Sequence, residues 1–177
     1  MRKLFCFLSM FPIFVVACAT QPSLKDYQAK SLDEEKIVNL VLEFQEAYSS
    51  QNMEKILATY APEAMIKTSI KKKDWSGVML PKEKHAAILS KQMHFYRRAE
   101  IKLEIDPPKE IFIKGNEASM IAPYELYATN PYKAYVETGI LNFEFRKADP
   151  GWLISKRTWE ILDCNHPDFK DWKKKEQ

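Results

Sequence analysis

Phe44-Gln45-Glu46-Ala47-Tyr48-Ser49-Ser50-Gln51-Asn52-Met53-Glu54, with Leu57-Ala58-Thr59-Tyr60-Ala61-Pro62-Glu63-Ala64 close behind it, is the stretch on which the fold turns. Upstream of it, Ser31-Leu32-Asp33-Glu34 has the S-x-x-E spacing of a capping box. Ile37, Leu40, Val41, Phe44, Ala47 and Tyr48 then recur at intervals of three and four, which predicts an amphipathic helix running to about Gln51. Asn52 suits the cap of a second, shorter helix that turns Ile56, Leu57 and Tyr60 inward. Pro62 stops that helix, and Ala64 to Ile70 reads as a short strand.

Downstream the pattern changes period. Lys71-Lys72-Lys73-Asp74-Trp75-Ser76-Gly77 is a loop, and Pro81 opens a third helix over about 81–97. Ile101, Leu103 and Ile105 then alternate with charged residues, and Ile111 and Ile113 precede the turn Gly115-Asn116. Ala118 to Tyr127 and Tyr135 to Arg146 are long β-rich runs, and Asp149-Pro150-Gly151 turns into a last run from Trp152 to Leu162. Pro123 interrupts one run and predicts a bulge or an edge, since it cannot donate to a ladder. Helices first and strands afterwards predict an α+β domain, with N-terminal helices packed on one face of a curved, mostly antiparallel sheet.

The quoted stretch, together with Gly115-Asn116-Glu117-Ala118 and Gly151-Trp152-Leu153-Ile154, resembles nuclear transport factor 2-like (SnoaL-like, ketosteroid-isomerase-like) domains over about residues 33 to 162. The resemblance implies a cystatin-like cone: a strongly curved sheet wrapped round a long helix, with an open end and a pocket. Ketosteroid isomerases of this superfamily use an aspartate base and an oxyanion hole of tyrosine and protonated aspartic acid. The matching segments put Phe44, Thr68 and Leu141 at those three positions. Phenyl, threonine hydroxyl and isobutyl groups supply neither the proton acceptor nor the acidic donors that an enolate needs.

The pocket residues expected from the pattern are Tyr48, Tyr60, Tyr124, Tyr127, Glu137, Leu141 and Trp159. Side chains alternate along a strand, so Tyr135, Glu137, Gly139, Phe143 and Phe145 share a face with Leu141. Glu137 is the one carboxylate there. Facing a pocket among aromatics, its pKa would rise and it could serve as an acid or base; lying at the mouth, it would pair with a lysine. The tyrosines and Trp159 either line a pocket or pack as core. His94, near Arg97 and Arg98, reads as a solvated helix residue.

The opening of the chain addresses location. Arg2 and Lys3, an apolar run from Leu4 to Ala17, and Val15-Val16-Ala17-Cys18 resemble a lipoprotein signal with its lipobox. The run is too short to span a hydrocarbon core of about 30 Å. Residues 1–17 are thus expected to be a leader and Cys18 the site of lipidation, which would carry diacylglycerol and an N-acyl chain; two or more chains make a stable anchor. The alternative is an ordinary secretory leader. Ala19 resembles the signal that forwards a lipoprotein to the outer membrane, facing the periplasm. Residues 18–30 read as a lipidated tether spanning at most roughly 45 Å, 31–164 as the domain and 165–177 as a C-terminal tail in which Phe169 and Trp172 need cover.

Composition removes other classes. Without Arg2 and Lys3 the mature chain has 25 basic and 24 acidic residues, which argues against nucleic acid as a partner. The four glycines allow no phosphate loop or dinucleotide fingerprint, and His85, His94 and His166 lack metal-ligand spacing, so neither a cofactor nor a metal is expected. With Cys18 lipidated, Cys164 has no disulfide partner within the mature chain. The expected role is that of a membrane-anchored binding protein for a small apolar ligand, for an envelope protein or for a second copy as a homodimer. The competing expectation is a periplasmic enzyme using Glu137 for proton transfer or hydrolysis.

Overall fold

A computed structural model of the chain describes residues 22–71, 74–95, 99–130 and 133–165. The leader, Cys18 and the tail aromatics Phe169 and Trp172 lie outside the described residues. Among the described residues, three α-helices, α1 (Leu32–Ser49), α2 (Met53–Ala58) and α3 (Lys82–Phe95), accompany eight strands. These are β1 (Tyr60–Ile70), β2 (Trp75–Ser76), β3 (Leu80–Pro81), β4 (Glu100–Ile105), β5 (Ile111–Lys114), β6 (Glu117–Asn130), β7 (Lys133–Ala148) and β8 (Gly151–Cys164).

The expected α+β class is observed. The sheet runs β2-β1-β8-β7-β6-β4, with β3 also on β1 and β5 also on β6. Every pairing is antiparallel except β1 with β8, which joins the first long strand to the last. The buried stripe of α1, including Ile37, Val41, Phe44 and Tyr48, packs against the concave face of this sheet.

Local chemistry fixes the elements. Ser31 Oγ accepts from Glu34 N at 3.2 Å, but Glu34 reaches past the cap residue and accepts from Lys30 N at 2.7 Å and from the Tyr27 hydroxyl at 3.4 Å. The capping box is therefore half formed, and its carboxylate holds the preceding segment instead. Leu24 in that segment is fully buried and Ser23 caps a 3-10 turn over Leu24–Asp26. Part of the stretch expected to be a tether is thus docked on the domain, because Leu24 and Tyr27 supply apolar surface that a free linker would leave in water.

Asn52 Oδ1 caps α2 through Lys55 N at 3.0 Å. β1 begins at Tyr60, earlier than the pattern predicted, with Pro62 in an irregular stretch where the register against β8 shifts. Trp75 and Ser76 of the expected loop pair with Ile70 and Ser69. Pro123 lies in neither a bulge nor an edge strand: β6 stays in register with β7 through it and has β4 and β5 on its other side. Its carbonyl accepts from Asp106 N at 3.0 Å, so its nitrogen faces the point where β4 has ended and β5 has not begun. No donor is missed there.

Candidate functional site

Glu137 stands on β7 between Leu126 of β6 and Cys164 of β8, on the concave face, and is 7% exposed. Two donors meet on its Oε1: the Tyr124 hydroxyl at 2.8 Å and Trp159 Nε1 at 2.8 Å. Neither bond engages Oε2. The alternative of a carboxylate at the mouth paired with a lysine does not describe this arrangement. Burial raises the Glu137 pKa above its ordinary 4.5, with the bonds from Tyr124 and Trp159 opposing the rise. Tyr124 is itself driven far up, first by burial and then by the charge of Glu137.

The backbone makes room for this cluster. Tyr124 is paired across the ladder with Gly139, and a methyl group there would meet Tyr124 Cε1 at 2.7 Å and its hydroxyl oxygen at 2.8 Å, besides striking the Glu160 carbonyl. Glycine at this position lets the tyrosine ring lie across β7 and reach Glu137. A register shift between Thr138 and Gly139 adjoins the same spot. The ring of Tyr124 meets Trp159 edge-on at 4.7 Å between centroids, and Tyr48 lies 5.2 Å from Trp159 on another side.

The remaining expected site residues fall in two groups. Leu141 is fully buried between Ala122 and Trp159, and Tyr60 is 2% exposed, edge-on to Phe44 at 6.1 Å. Tyr127 is on the opposite face of β6 from Tyr124, three residues on, and its hydroxyl donates to Glu125. It does not belong to the Glu137 cluster. At the three positions aligned with the isomerase set, Phe44 and Leu141 are core and Thr68 is a half-buried residue of β1.

Arg157 and His85, which the sequence pattern did not single out as pocket residues, lie in this interior too. Arg157 is 2% exposed, with its guanidinium 5.0 Å from the centre of the Trp159 ring. A signal for it exists: the apolar parity of β8 switches between Ile154 and Trp159, which requires an extra residue, and the register shifts between Glu144 and Phe145 of β7. That shift turns Arg157 inward with Trp159 and Ile161.

Clefts open on the surface of the described residues. One of about 760 Å³ lies between α1, α2 and the β7–β8 turn, bordered by Lys36, Glu43 and Trp152. A second of about 370 Å³ lies along α1 and β4. Another, about 820 Å³, is on the convex face of the sheet beside Pro22, Phe112, Ile121 and Pro123. Phe112 and Ile121 are 65% and 61% exposed. Among the described residues no group of His, Cys, Asp or Glu is arranged to hold a metal ion, and no helix is long and apolar enough to cross a membrane.

No protein-family model matches the chain, and no curated protein matches it. Solved structures do share its architecture. A protein of unknown function with a cystatin-like fold from Nostoc punctiforme superposes with a TM-score of 0.60 at 18% identity, covering 80% of this chain and 98% of that one. A nuclear transport factor 2-like protein with a cystatin-like fold from Novosphingobium aromaticivorans gives 0.61 at 13% identity, over 78% and 86% of the two chains. A nuclear transport factor 2-like protein of unknown function from Shewanella oneidensis gives 0.54 at 19% identity, over 73% and 98%. The domain has the cystatin-like, nuclear transport factor 2-like fold, and the likeness extends to the fold alone.

Proposed function

We propose that the chain is an envelope lipoprotein, anchored by lipid on Cys18 in the bacterial outer membrane and facing the periplasm, whose cone binds a small, largely apolar ligand without transforming it. The observation that carries this reading is the carboxyl of Glu137, held on one oxygen by Tyr124 and Trp159 inside an aromatic interior. A few fixed polar groups in apolar surroundings are what orients a small ligand. The side chains at Phe44, Thr68 and Leu141 supply no isomerase chemistry, which favours binding over turnover.

The test is titration of the full-length protein in detergent with the neutral fluorescent probe N-phenyl-1-naphthylamine. Saturable binding that weakens in Glu137→Gln and Trp159→Phe is the expected result. Binding that survives both changes but is lost in Ile121→Ser would put the probe on the convex face and overturn the cone reading. That face is where a protein partner or a second copy of the chain would sit.

One observation favours a second reading. Glu137 is buried, has a raised pKa and lies 2.8 Å from the Tyr124 hydroxyl, the geometry required of a proton-transferring carboxyl. As an enzyme the protein would pass the Glu137 proton to a bound ligand and recover one from it. Incubation in deuterated water with whatever ligand co-purifies separates the two: carbon-bound deuterium in the recovered ligand means proton transfer, and an unlabelled ligand means binding alone.

A further inference from the structure

Arg157 projects from β8 opposite Phe143, and rings surround it. Its guanidinium carbon lies 5.4 Å from the centre of the Phe44 ring, 5.7 Å from Tyr60 and 5.0 Å from Trp159. Nη2 is 3.4 Å from His85 Nε2, itself on a buried side chain of α3. Nε and Nη1 have no hydrogen-bond partner among the described residues, and the buried hydroxyl of Tyr60, which lies beside the guanidinium and feels its charge, donates to no acceptor there. The described ion pairs join Lys102 to Glu104, Arg146 to Glu63, Lys147 to Asp33 and Lys156 to Glu144. None involves Arg157.

That arrangement is out of balance. A guanidinium does not give up its proton in a protein, and taking its charge out of water is costly unless an opposite charge or acceptors meet it. Aromatic faces return part of that cost, but rings offer no acceptor for the idle N–H groups. His85 adds no negative charge. Burial and the neighbouring guanidinium push its pKa down to about 3, so its ring is neutral and accepts a proton bond from Arg157.

We infer that Arg157, with the Tyr60 hydroxyl beside it, forms a buried receptor for the carboxylate of a small organic acid whose apolar body lies against Phe44 and Trp159. The charge count selects the class. One fixed positive charge beside a neutral histidine matches a monoanion, whereas a phosphate dianion would leave net charge buried. The hydroxyl and the N–H groups on Nε and Nη1 supply the donors that a carboxylate needs. This inference rests on the cone-binding reading and narrows its ligand from apolar molecules to apolar acids.

The test compares benzoate with its neutral analogue benzyl alcohol as stabilisers of the full-length protein in detergent, read as the shift in thermal midpoint. Benzoate is expected to raise the midpoint in a saturable way, and benzyl alcohol to do so at least tenfold less effectively. In Arg157→Met the benzoate response is expected to disappear, while the ligand-free midpoint stays at or above that of the parent, since a lone buried charge has become an apolar side chain. Equal responses to benzoate and benzyl alcohol, or an unaltered benzoate response in Arg157→Met, overturn the inference. If Arg157→Met does not fold, the contrast between the two probes on the parent decides. Binding of the neutral probe without benzoate removes only the acid receptor; binding of neither removes the cone reading as well.

Discussion

Glu137 and His85 are both buried titratable groups, and the fold biases them in the same chemical direction, toward the neutral form, with opposite consequences for stability. The Glu137 pKa is raised above 4.5, so the folded protein holds a proton that the unfolded chain releases. Its stabilising contribution is complete below pH 4.5 and is lost as pH rises through the folded value. Glu137→Gln, neutral throughout, is predicted to match the parent's thermal midpoint at pH 4 and to equal or exceed it at pH 7. His85 runs the other way, from 6.5 to about 3, because the unfolded chain takes up a proton that the folded one refuses. Its contribution is present above pH 6.5 and drains away as pH falls toward 3, so His85→Gln should flatten the acid limb of a midpoint-against-pH curve. Gly139→Ala is predicted to cost about 1–3 kcal/mol or more in denaturant unfolding, because the methyl strikes the Glu160 carbonyl and displaces the Tyr124 ring. Alternation along β7 made the inward face of Glu137 legible. Tyr124 and Trp159 were among the expected pocket residues, but which of the tyrosines would bond Glu137 was not legible, since they arrive from β6 and β8 through registers that local pattern does not fix. Tyr127 shows the same limit, three residues from Tyr124 and therefore on the other face.

α1 works as the lid of a sheet edge as well as the filling of the cone. β4 is the last strand on its side, and the amides of Leu103 and Ile105 that point away from β6 are taken by Ser49 Oγ and Gln45 Oε1, each at 2.9 Å. Gln51 adds a bond to the Ala99 carbonyl at 2.9 Å. These polar residues look like a solvated helix face in sequence, yet they close an edge that would otherwise be open to another strand. Gln45→Ala is predicted to cost about 1–3 kcal/mol by stranding the Ile105 amide, measured by urea unfolding. The helix itself was legible from its three-and-four spacing and its Ser31 cap. The docked segment before it was not, because one leucine and one tyrosine carry no periodicity. Leu24→Ala is predicted to cost about 2–5 kcal/mol, the range for a buried leucine, where a free tether would lose nothing.

Taken as a whole, the molecule leaves only a short link between its domain and its expected anchor. Because Leu24 is docked, the link from Cys18 to Pro22 is four residues long and spans at most about 14 Å, less than a third of what an undocked tether would reach. The domain would then sit near the headgroups, with the apolar cleft beside Pro22 on its convex face. The α+β architecture was legible because helical spacing over α1 to α3 gives way to the period of 2 in the long strands from β4 onward. The parallel union of β1 with β8 was not, since nothing local links residues that far apart. The most direct test of the proposed role is mass spectrometry of the full chain extracted from cell membranes with detergent. The predicted result is a polypeptide beginning at Cys18 with diacylglycerol and a further acyl chain on it, accompanied under native conditions by a non-covalently held small molecule. Recovery of the unprocessed 177-residue chain from the aqueous fraction, with no lipid on Cys18, would contradict it.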